Sequence, residues 1–147
     1  MCLAAHSFGE VIVNLAHIVE HGRSDAPALV AGADTWTYGG LRGAIAQLRA
    51  DLVGRGLGPG DHVGLLAANN PAVVVGALGA LAAGLVVVPL NPHSPAAEIS
   101  RELGVTGTRV ALADAATAKT HTAVALGLDA LVRLEPAPCD PDRKSVV

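Results

Sequence analysis

Aromatic side chains make up only 2% of the 147 residues: one Trp, one Tyr and one Phe. Val, Leu and Ala must therefore fill any core. Cysteine is equally scarce, and Cys2 and Cys139 stand at opposite ends, which excludes a disulfide framework or a zinc knuckle. Ten Lys and Arg against 13 Asp and Glu give a net charge of −3, with no basic cluster. Such a surface releases no counterions from nucleic acid and does not hold an anionic membrane. No basic segment precedes an apolar run at the N-terminus, so no signal peptide is read and a cytoplasmic location is expected. Apolar residues are plentiful. At 51% hydrophobic and 16% charged, the chain excludes disorder for most of its length. It is long enough for one domain that buries roughly two thirds of its unfolded surface.

Charge is missing altogether from His62 to Ala97, and Val73 to Leu90 is almost wholly apolar. By length alone this stretch is a candidate membrane span. Its punctuation argues for two elements instead. Asn70-Pro71 reads as a helix N-cap with Pro at the first helical position. Gly84 reads as the stop, and Leu85 to Val88 as a β-branched strand closed by Pro89. A helix of about a dozen residues followed by a buried strand is the expectation.

The remaining elements follow from the same grammar. Val11, Leu15 and Ile18 recur at helical spacing between Phe8 and His21. Ala28–Val30 and Thr35-Trp36 read as short strands about a turn at Ala33-Asp34. Thr37 can cap the next helix, whose apolar stripe is Leu41, Ile45, Leu48 and Leu52. Gly56 suits a helix C-terminus, and Gly58-Pro59-Gly60-Asp61 a type II turn. His62–Ala67 is a strand, Ser94-Pro95 opens a helix through about Leu103, and Arg109–Ala113 is a strand. Ala115–Leu126 is a weaker helix and Asp129–Leu134 a last strand. Strand and helix alternate from His62 onward, which predicts an α/β fold: a partial, mainly parallel sheet with helices on both faces.

Several patterns invite chemistry and are better read as structure. The run Gly54 to Gly60 follows a helix and leads into a strand, the reverse of a dinucleotide loop, and lacks the G-x-G-x-x-G register. A nucleotide-binding oxidoreductase module would need that turn between strand and helix. His17-Ile18-Val19-Glu20-His21 matches H-x-x-E-H, with two His four apart as zinc ligands. No third ligand stands out, and a polar helix face accounts for it. No G-x-S-x-G elbow occurs, and neither Cys has a base partner. Glu98 and Glu102 flank Arg101 as a solvated face. Val105-Thr106-Gly107-Thr108 lacks the Lys of a phosphate loop and reads as a strand entry. No catalytic, cofactor-binding or metal residue is assigned.

In order along the chain, the segments resemble the N-terminal region of the acyl-adenylate-forming family: acyl-CoA synthetases, luciferases and adenylation domains. The resemblance covers roughly Asn14 to Asp114. Asn14-Leu15-Ala16 resembles the family's opening helix, and Trp36-Thr37-Tyr38-Gly39-Gly40-Leu41 the first core motif, Leu-Thr/Ser-Tyr-x-Glu-Leu. Gly56-Leu57-Gly58-Pro59-Gly60-Asp61-His62-Val63 resembles the Gly-Val-x-x-Gly-Asp-x-Val joint, and Asn69-Asn70-Pro71 the segment after the next strand. Leu81-Ala82-Ala83-Gly84, with Leu85 to Pro92, resembles the second core motif, Leu-Lys-Ala-Gly-x-x-x-Val-Pro. The first motif is a capping box in which Gly40 replaces the usual Glu. Gly40→Glu is therefore expected to add roughly 0.5–1 kcal/mol. Val86-Val87 and Asn91-Pro92 lean toward the CoA-ligase branch.

The resemblance implies a ligase that activates a carboxylic acid with ATP and Mg2+ as acyl-AMP and then passes the acyl group, commonly to CoA. It also implies that the phosphate loop, ribose contact, acid pocket and C-terminal lysine come after the region present. Residues 1–134 are expected to be part of the large N-terminal domain, and 135–147 a Pro-rich linker and non-native tail. Asp142 to Val147 is the translation of GATCGGAAGAGCGTCGTG, a common sequencing-adapter string that continues with a stop codon. The rival reading is a genuine short protein, with a non-catalytic interaction role. The chain alone is expected to be poorly soluble and inactive.

Overall fold

The computed structural model describes residues 14–135. A 3₁₀ turn, Leu15–Val19, leads to an antiparallel hairpin of β1 (Pro27–Ala31) and β2 (Asp34–Thr37). Helix α1 (Tyr38–Gly54) is followed by β3 (His62–Leu66), α2 (Pro71–Ala82) and β4 (Val86–Pro89). Then come α3 (Ala96–Thr106), β5 (Val110–Asp114), the short helices α4 (Thr117–Thr120) and α5 (Ala123–Leu126), and β6 (Ala130–Leu134). Strands β3 to β6 form one parallel sheet in the order β4-β3-β5-β6. This is the expected α/β architecture.

Alternation along the strands builds two apolar layers. Val63 and Leu65 of β3, Val110 and Leu112 of β5, and Val132 and Leu134 of β6 share one core with α1 and α2. Their neighbours Leu66, Ala111 and Ala113 turn to the other face, where Ile99, Leu103, Leu126 and Leu128 cover them. The strand order supplies the reason. The step from β3 to β4 runs one way across the sheet and the step from β4 to β5 runs back. Crossovers of one hand then place α2 and α3 on opposite faces.

The expected stripe of α1 is buried in full: Leu41, Ile45, Leu48 and Leu52. Thr37 caps the helix, its Oγ1 accepting from the Gly40 backbone N–H at 3.1 Å. Gly40 itself is buried, so a Glu there would lose hydration, and the stabilisation expected of Gly40→Glu is withdrawn. The glycine run between α1 and β3 is a helix stop and a turn. Asp61 N–H meets Gly58 O at 3.0 Å, and Gly60 has φ +89°. Pro71 opens α2 behind an Asn70 cap, and Gly84 ends the turn with φ +77°. An added Cβ at Gly84 would press on Pro59 at 3.2 Å. The 12-residue α2 and the four-residue β4 divide the apolar stretch. Among the described residues no helix is long and apolar enough to cross a membrane.

Five expectations are corrected. The opening segment is a 3₁₀ turn in which Leu15 and Ile18 are 59% and 62% exposed, while Ala16 and Val19 are buried. At three residues per turn, 16 and 19 share the face that packs. Asn14 orients that face, bonding Ala16 N–H through Oδ1 and Leu81 O through Nδ2 at 2.6 Å. The part of the expected helix before Asn14 lies outside the described residues, as do the linker beyond Glu135 and the tail. Strand β4 is an edge rather than a buried strand, with Val86 44% exposed. The hairpin turn falls on Gly32-Ala33, one residue earlier than expected. The expected helix over Ala115–Leu126 is broken at His121-Thr122, because the Thr122 hydroxyl caps a new helix at Ala125 N–H. Val105 to Thr108 is not a strand entry. Thr106 ends α3, Gly107 caps it with φ +65°, and Thr108 N–H returns to Leu103 O.

Candidate functional site

In an open parallel sheet, ligands collect beyond the carboxyl ends of the strands, where the strand order reverses. Here the reversal lies between β3 and β5. Asp114, the last residue of β5, sits at that point and is 4% exposed. Its Oδ2 accepts from the Ala68 N–H at 2.9 Å and from Asn70 Nδ2 at 2.8 Å, both just beyond β3. Its Oδ1 accepts from the Thr117 N–H at 2.8 Å. Burial alone would raise its pKa. The backbone N–H groups of Thr117 and Ala68, with the Thr117 and Asn70 side chains, outweigh that and hold the carboxyl at about 2.

A cleft of about 500 Å³ opens beside this carboxylate, lined by Asp34 and Trp36 of the hairpin, the cap Asn70 and Pro71 at the start of α2, and Arg133 and Glu135 at the end of β6. Its chemistry does not fit a nucleotide phosphate. Three carboxylates face one guanidinium, and Arg133 already pairs with Glu135 at 2.6 Å. The N-terminus of α2 offers no free donor in its first turn: Pro71 has no N–H, Ala72 N–H bonds Asn70 Oδ1, and Val73 N–H bonds Asn70 O. The anion site that a helix start can supply is therefore occupied by the protein itself. Among the described residues no group of three or more His, Cys, Asp or Glu could hold a metal ion. No step through ATP or magnesium is derived from these residues.

The patterns weighed for chemistry do not converge. His17 and His21 are exposed, and the 3₁₀ turn ends at Val19, so they do not stand one α-helical turn apart. His17 lies 3.9 Å from Glu20, an exposed contact worth little. Gly54 to Gly60 stands at the amino end of β3, away from the reversal point. The residue that sequence reasoning missed is Asp114. A carboxylate closing an otherwise apolar strand was the signal available, and only the fold brings it to Asn70.

The molecule is thus a doubly wound α/β protein with a carboxylate-lined cleft at the carboxyl end of its sheet. Residues 16–146 match the AMP-binding enzyme family, and the chain belongs to it. It is 33% identical over 84 residues to a medium/long-chain-fatty-acid–CoA/3-oxocholest-4-en-26-oate–CoA ligase of Mycobacterium marinum, which is 55% of this chain and 15% of the relative. It is 31% identical over 104 residues to a 3-hydroxybenzoate–CoA ligase of an Aromatoleum species, 71% of this chain and 20% of the relative. A benzoate CoA ligase from Burkholderia xenovorans superposes with a TM-score of 0.75 at 24% identity, over 85% of this chain and 26% of that one. That last likeness speaks for the fold: the sheet is the one found in the N-terminal domain of adenylate-forming enzymes.

Proposed function

We propose that this chain is the opening part of an AMP-forming carboxylic acid ligase. The whole protein activates its acid with ATP and Mg2+ to acyl-AMP and passes the acyl group to CoA. The observation that carries this reading is the match over residues 16–146 on a doubly wound sheet. Acceptance by CoA is supported by the named activities of the two curated relatives and by Val86-Val87 and Asn91-Pro92 in the second core motif. A cytoplasmic place suits an enzyme that consumes ATP and CoA.

The chain by itself is proposed to be catalytically silent. The cleft at the reversal point is carboxylate-rich and its helix start is already capped, so it lacks donors for a polyphosphate. Residues 1–134 are taken as part of the large domain and 135–147 as linker and tail. The family match runs through 135–146 and so draws no boundary at 134.

ATP–pyrophosphate exchange over a panel of aliphatic and aromatic acids tests both halves. A gene in which this reading frame continues into a Ser/Thr/Gly loop ending in Lys should give exchange with at least one acid, and the present chain none. Exchange by the present chain would overturn its silence. A longer protein that forms no acyl-AMP from any acid would overturn the ligase reading.

A further inference from the structure

We draw no further inference here: the strongest candidate, the buried side-chain cluster at the α4–α5 corner where His121 Nε2 lies 3.2 Å from the Pro92 carbonyl and Nδ1 has no partner among the described residues, carries nothing because nothing in the structure shows what would meet the free ring nitrogen.

Discussion

Replacing Asp114 with Asn separates the charge of this carboxylate from its shape. In the folded chain the carboxyl is held at about 2 against an ordinary 3.8, a difference worth about 2 kcal/mol at neutral pH. The folded value lies below the unfolded one. The contribution is therefore fully present above about pH 4 and is lost as the pH falls through about 2. Asn keeps one acceptor, but its amide must confront either the Thr117 N–H or the pair from Ala68 and Asn70. Leaving a buried donor unpaired costs about 1–3 kcal/mol, so Asp114→Asn should destabilise by about 3 kcal/mol at pH 7. Urea unfolding followed by fluorescence reads this directly, because Trp36 is the one Trp of the chain and is 2% exposed. Since Asn does not titrate, the gap between the two proteins should narrow by about 2 kcal/mol from pH 7 to pH 2. Every other carboxylate cancels in that difference. A gap that stays constant with pH would refute the assignment of Asp114 as a carboxylate held ionised by its donors.

Gly79 packs so closely on Leu48 that an added Cβ would lie 2.7 Å from Cδ2 and 3.1 Å from Cβ. Overpacking should outweigh the gain in helix propensity, so Gly79→Ala should cost about 1 kcal/mol. Pairing it with Leu48→Ala should be less than additive in a double-mutant cycle; strict additivity would place the two apart. Thr37→Ala should lower stability by about 1 kcal/mol through loss of the α1 cap, read as a lower urea midpoint with an unchanged slope. Arg42 donates from Nη1 to the carbonyls of Val19 and Gly22 at 2.9 Å each and from Nη2 to Ser24 Oγ at 2.6 Å. A lysine cannot make that fork, so Arg42→Lys should speed limited proteolysis between Val19 and Ser24 several-fold. Equal cleavage rates would remove Arg42 as the clamp on that loop.

Much of the fold was legible because its signals are local. The α1 stripe, the Asn70-Pro71 start, the Gly84 stop and the Gly58–Asp61 turn each depend on residues within a few positions of one another. The misreadings have equally definite causes. Leu15 and Ile18 fit a helical period of 3.6, but a 3₁₀ turn divides the same residues differently, and the Leu81 carbonyl that its Asn14 cap bonds lies 67 residues away. Val86 to Val88 has the composition of a central strand, and nothing within it says that it ends the sheet. At Thr122 a side-chain oxygen competed with the helical ladder and won, a contest that apolar periodicity does not register. The site was less legible still, since Asp114 and Asn70 are 44 residues apart and meet only through parallel pairing of β3 and β5.

By itself, the order of residues determined the alternation of strands and helices, the starts and stops of α1 and α2, and the family. These follow from side-chain period, backbone freedom at Gly and Pro, and motifs in register. Only the tertiary structure decided which strand forms the edge, which face each helix covers, and that the carboxylate at the reversal point is already satisfied. Those outcomes depend on loop closure and on burial shared among segments distant in sequence, energies that no local window contains.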